Sequence, residues 1–183
     1  AGAEVVPLFC EPDGSFPNHH PDPVVERNVR ALAERVRAEN AACGIGLDGD
    51  GDRIGVVDET GRMVFGDRLL ALYAREVLAR NPGGAVIGDV KCSHLLFKDI
   101  AAHGGRPLMA RTGHSPMKQA LRETSALLAG ELSGHMFFND RFFGWDDALY
   151  AALRLAELLS RAPHTPLSGL LAGWPATFST PEI

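Results

Sequence analysis

Residues 85–111 read AVIGDVKCSHLLFKDIAAHGGRPLMAR. An apolar run (Ala85 to Val90), an amphipathic stretch (Ser93 to His103) and a second apolar run (Pro107 to Arg111) follow one another, with Gly104-Gly105 as the break. Strand, helix and strand at this spacing predict a βαβ unit, which places both strands parallel in one sheet. The alternation extends both ways, with a helix over Arg68–Ala79 before it. After it come a helix over Pro116–Glu123, strands over Leu127–Glu131 and His135–Phe138, and a long helix over Asp146–Ser160. The fold class is therefore α/β.

Upstream the pattern differs. Glu4 to Phe9 predicts a strand, and residues 11–23, EPDGSFPNHHPDP, carry turn residues throughout. Residues 24–39 place Val25, Val29, Leu32 and Val36 at helical spacing. Two short apolar runs, Ile54–Val57 and Met63–Phe65, flank the turn Asp58-Glu59-Thr60-Gly61 and predict a hairpin. The tail from Arg161 holds Pro163, Pro166, Pro175 and Pro181 around a short helical piece near Leu167–Leu171.

Composition narrows the function classes. With 45% hydrophobic and 22% charged residues the 183-residue chain is an ordinary globular mixture. A net charge of −5 without a Lys/Arg run argues against nucleic acid or a polybasic membrane contact. No apolar run approaches the roughly 18 residues of a membrane helix, and the start lacks signal-peptide character, so a cytoplasmic location is expected. Cys10, Cys43 and Cys92 form no Cys-x-x-Cys pair and are expected as buried free thiols.

The densest chemistry is at residues 46–56, GLDGDGDRIGV. Asp48, Asp50 and Asp52 alternate with glycine between two predicted strands, a tight loop of short carboxylates that repel one another unless a hard divalent cation is present. Arg53 next to them offers a planar, permanently charged grip for phosphate oxygens. Four alternatives stand beside this. The Asp-x-Asp-x-Asp start resembles an EF-hand with Glu59 at the twelfth position, but Arg53 occupies the place that needs glycine. Asp48 could serve as the nucleophile of a haloacid-dehalogenase-like phosphatase, with Asp146-Asp147 as its later acidic pair. The loop could also be a solvated acidic turn or a non-catalytic cation-binding module. The strict alternation favours metal.

Two further stretches fall where a strand meets a loop, the edge at which open α/β sheets bind ligands: Arg111-Thr112-Gly113-His114-Ser115-Pro116-Met117-Lys118 and Gly130-Glu131-Leu132-Ser133-Gly134-His135. Glu131 and Ser133 offer the acceptor and donor that neighbouring sugar hydroxyls require, and His135 adds an imidazole able to carry a proton. Phe137, Phe138, Phe142, Phe143 and Trp145 are expected to pack as core beneath that loop.

With the aspartate loop, the Thr112–Ser115 segment with Lys118, the Glu131 loop, Asp89-Val90-Lys91-Cys92 and Phe16-Pro17-Asn18-His19-His20-Pro21, the sequence resembles the α-D-phosphohexomutase superfamily, most closely its bacterial phosphomannomutase/phosphoglucomutase branch. The resemblance implies part of a four-domain enzyme that interconverts hexose 1-phosphate and hexose 6-phosphate through a phosphoserine and a hexose 1,6-bisphosphate. It implies Mg2+ on Asp48, Asp50 and Asp52, with Arg53 at the phosphoryl group. Glu131 and Ser133 match sugar-hydroxyl ligands, and Lys91, His114, His135 and Lys118 match residues of the sugar cleft. His135 is the candidate proton carrier; His114, Lys91 and Arg53 complete the catalytic set. The family's phosphoserine stretch, Thr-x-Ser-His-Asn-Pro, and its last-domain phosphate loop do not occur in the 183 residues. The expected division is a partial second domain over 1–64, a third over 65–172 and a linker over 173–183 toward a fourth, with the isolated piece inactive.

Overall fold

A computed structural model describes residues 2–175. Helix α1 (Arg30–Glu39) follows a 3-10 turn at Glu26–Val29 and ends at Asn40, whose left-handed backbone closes the last turn. Strands β1 (Cys43–Leu47), β2 (Ile54–Asp58) and β3 (Met63–Val64) form an antiparallel sheet in that order. Then come α2 (Gly66–Arg80), β4 (Ala85–Asp89), α3 (His94–Ala102), β5 (Arg106–Ala110), α4 (His114–Thr124), β6 (Leu128–Gly130), β7 (Met136–Phe138), α5 (Ala148–Arg161) and the short α6 (Leu167–Leu170). The second sheet runs β5-β4-β6-β7, with β4 parallel to both neighbours and β7 antiparallel at the edge.

Alternation along each strand assigns the layers. Val86, Leu128, Met136 and Phe138 face a core built with Leu69, Leu70, Tyr73 and Val77 of α2, Leu96 and Ile100 of α3 and Leu155 of α5. Ala85, Ile87, Ala129 and Phe137 face Met117 and Leu121 of α4 on the other side. Strand β2 is covered on both faces, Val57 meeting Val29, Ala33 and Val36 while Ile54 and Val56 join the large core. That core is therefore continuous from the antiparallel sheet into the α/β/α sandwich. Among the described residues no helix is long and apolar enough to cross a membrane.

Four expectations change. Glu4–Phe9 is not a strand: Val5 is 79% exposed and no neighbouring strand among the described residues supplies a ladder or a face to cover it. The first turns of the segment over 24–39 are 3-10 rather than α, because Val25 at its start provides no capping side chain. Cys10 is exposed and Cys43 half-buried, and only Cys92 is fully buried. Phe137 and Phe138 are core, but Phe143 and Trp145 lie on the surface at 71% and 61% exposure, their rings tilted against each other rather than packed beneath the loop. The linker expected over 173–183 falls mostly outside the described residues.

Candidate metal and sugar site

The register of β1 against β2 pairs Leu47 with Ile54, so residues 48–53 form the loop that closes a hairpin. Asp48 organises it from inside. One carboxylate oxygen accepts the amides of Gly51 (3.0 Å), Asp52 (3.1 Å) and Arg53 (3.1 Å), and the other accepts Arg53 Nε at 2.7 Å. Burial opposes its charge, but the hydrogen bonds and charge of Arg53 prevail and hold the carboxyl below its ordinary value. Asp52 goes the other way, raised by burial and by the Asp48 charge against the pull of His135. One carboxylate oxygen from each of Asp48, Asp50 and Asp52 lies within 4.8 Å of the others. Converging oxygens at that separation fit a hard divalent cation. The Pro-rich segment backs the loop, Phe16 and Pro21 lying against Gly49 and Asp22 standing 3.4 Å from the Arg53 guanidinium.

The geometry is not that of an EF-hand. Glu59 is turned away and accepts the Ser168 amide at 3.2 Å and its hydroxyl, and strands rather than helices flank the loop. Asp147 caps α5 by accepting the Tyr150 amide (2.8 Å), so the adjacent acids do not act as a pair.

On the sandwich, the carboxyl ends of β4, β5 and β6 share one edge because these strands are parallel. Asp89, wholly buried at the end of β4, ties the three loops together. It accepts the Thr112 hydroxyl (2.8 Å), the Leu132 amide (3.2 Å) and the Cys92 thiol (2.9 Å). Glu131, only 2% exposed, accepts the Gly113 amide at 2.6 Å and the Ser133 hydroxyl at 3.0 Å. The expected hydroxyl-binding pair is thus already joined, which orients both groups. Each carboxylate oxygen keeps a further lone pair for a ligand hydroxyl.

The two loops meet. Arg53 and His135 form a β-bridge, the Ile54 amide donates to the Gly134 carbonyl (3.1 Å), and the Ala148 amide at the start of α5 donates to the Gly51 carbonyl (3.1 Å). His135 Nδ1 stands 3.6 Å from an Asp52 oxygen and 3.3 Å from Asp146 Oδ2, whose other oxygen is 2.5 Å from Lys118 Nζ. Lys118 is therefore an ion-pair partner and not a solvated helix lysine. His114, the first residue of α4, and Lys91, just after β4, are exposed beyond the carboxyl ends of β5 and β4, on the same edge as Glu131. A hollow of about 400 Å3 that includes Arg122, Asn139 and Phe143 adjoins the Lys118 end. Sequence reasoning did not foresee Asp89 as the tie between loops or Asp146 as the neighbour of His135. The signal available for Asp146 was its place just before a helix, which reads as capping.

Two alpha/beta/alpha domains of phosphoglucomutase/phosphomannomutase match this chain, domain II over residues 1–61 and domain III over 65–178. The chain belongs to that family, within the phosphohexomutases. It is 52% identical over 182 residues to a phosphomannomutase/phosphoglucomutase of Pseudomonas aeruginosa and 50% identical to a phosphoglucomutase of Neisseria gonorrhoeae. All of the chain aligns, yet it spans 39% of either relative's length. A crystal structure of a phosphoglucomutase/phosphomannomutase family protein from Burkholderia thailandensis superposes with a TM-score of 0.91 at 50% identity, covering 97% of this chain and 38% of that one.

Proposed function

We propose that this chain is the metal- and sugar-binding portion of a cytoplasmic phosphohexomutase that interconverts hexose 1-phosphate and hexose 6-phosphate, of mannose, glucose or both. The phosphoryl group passes through a phosphoserine carried elsewhere in the full-length protein and through a hexose 1,6-bisphosphate. Residues 1–64 act as the metal-loop domain, 65–172 as the sugar-loop domain and 173–183 as the linker onward. The observation that carries this reading is the junction of the Asp48-Asp50-Asp52 loop with the Glu131–His135 loop through the Arg53–His135 bridge.

Asp48, Asp50 and Asp52 would hold Mg2+, which when bound neutralises charge on a phosphoryl group. Arg53, anchored through Nε to Asp48, keeps part of its guanidinium for phosphate oxygens. Glu131 and Ser133 hold adjacent sugar hydroxyls, while Lys91, His114 and Lys118 line the same edge. His135 removes the proton of the attacking hydroxyl and returns one to the leaving group.

The test is Glu131→Ala in the full-length protein. We expect the hexose phosphate KM to rise on the order of tenfold to a hundredfold, the loss of charge-assisted hydrogen bonds. Mg2+ affinity should be unchanged. Weakened Mg2+ binding with an unaltered KM would overturn this division of labour.

A further inference from the structure

We infer that Asp52, His135 and Asp146 form a second divalent-cation site, suited to a borderline ion such as Zn2+ and distinct from the all-oxygen set of Asp48, Asp50 and Asp52. Two atoms carry this. His135 Nδ1 and Asp146 Oδ2 are both shut off from solvent, and neither has a hydrogen-bond partner. They lie 3.3 Å apart, within ion-pair reach, yet no hydrogen bond joins them. An orphaned nitrogen facing an orphaned carboxylate oxygen is costly in a buried setting unless something else satisfies both.

An ion satisfies both. Asp52 Oδ2 lies 3.6 Å from the same nitrogen, and the three ligand atoms fall within 4.8 Å of one another. A tetrahedral Zn2+ with bonds of about 2.0–2.1 Å separates its ligands by about 3.3–3.4 Å, near both measured edges. The Asp146 side chain is only 6% exposed, and Lys118 holds its other oxygen at 2.5 Å, so the free oxygen is presented in one orientation, as an outer partner does for a metal-bound carboxylate. Imidazole in the set favours Zn2+ over Mg2+, which prefers oxygen and keeps its waters. Asp52, at 32% exposure, leaves a way in and has a second oxygen for its own loop.

On the reading of His135 as proton carrier, an ion at Nδ1 takes that ring out of use, so Zn2+ would inhibit the enzyme at saturating Mg2+. The binding itself does not depend on that reading.

The full-length protein, held in excess Mg2+, is titrated with Zn2+ by calorimetry, and the zinc environment is read by X-ray absorption. We expect one Zn2+ that Mg2+ does not displace, with one imidazole among its ligands. His135→Gln and Asp146→Asn, checked for folding by circular dichroism, should each weaken it at least tenfold, whereas Asp50→Asn should not. The absorption readout on the unaltered chain decides the matter even if a variant misfolds. An all-oxygen shell, or competition with Mg2+ and loss in Asp50→Asn alone, would overturn the site. Imidazole-bound Zn2+ without inhibition of the full-length protein would uphold the site and count against His135 as the proton carrier.

Discussion

At the scale of single residues the junction of the two loops depends on a glycine. Gly134 has φ of +96°, and a Cβ built there would stand 2.5 Å from the Ile54 carbonyl oxygen. Only a residue without a side chain lets the Glu131–His135 loop lie this close to the start of β2. Gly134→Ala combines left-handed strain with a backbone clash, and we expect a loss of about 1–3 kcal/mol, measured by urea unfolding. It should also loosen the His135–Asp52 approach. Gly66 plays the same part at the start of α2, its missing Cβ making room for the Glu131 and Leu132 carbonyls.

At the scale of elements, a charge network fastens α5 to α2 and to the turn after β7. Arg154, 3% exposed at its side chain, donates to Asp140 (2.8 Å) and Glu76 (2.6 Å) with its guanidinium 4.3 Å from the Phe138 ring centre. Arg154→Ala leaves two carboxylates without their buried partner and should cost about 3–5 kcal/mol, read as a fall in denaturation midpoint. Arg154→Met should cost less, because it refills the space over Phe138. Glu157 lies at the outer end of the network. Its hydrogen bond to Arg141, helped by Arg161, lowers its pKa from the ordinary 4.5 to about 2. Its stabilising contribution is complete above the unfolded value and fades as pH falls from 4.5 toward 2. Glu157→Gln should therefore flatten the stability profile in that acid window and nowhere above it, which thermal melts across pH will show.

At the scale of the whole molecule, the core passes without interruption from the antiparallel hairpin into the sandwich, so the aspartate loop rides on the same packed body as the Glu131–His135 loop. An ion bound to that loop stabilises the entire fold by mass action, by about 2.7 kcal/mol at a concentration one hundred times its Kd. We expect Mg2+ to raise the melting temperature of the chain. Asp50→Asn should abolish most of that rise while leaving the metal-free melt unchanged, since Asp50 is exposed.

Much of this was legible in the residues because local periodicity reports burial. The βαβ alternation, the hairpin around Asp58–Gly61 and the loop character of residues 11–23 all follow from spacing and turn chemistry, and the structure holds each. Glu4–Phe9 misled because an apolar run predicts a strand only if a neighbour exists to pair with it. Phe143 and Trp145 misled because aromatic content does not say which way a turn faces. The aspartate loop was visible as a set, since its three carboxylates lie within five residues of one another. Asp89 and Asp146 were not, since their partners lie far along the chain.

By itself the amino-acid order determined the α/β class, the acidic loop and the motifs shared with the phosphohexomutases, because these depend on residues close together in sequence. Only the tertiary structure decided that Arg53 bridges His135, that Glu131 is clasped by Gly113 and Ser133, and that Asp146 faces His135 from the start of α5. Those contacts arise when separate elements bury a common core, and no local pattern encodes where distant loops come to rest.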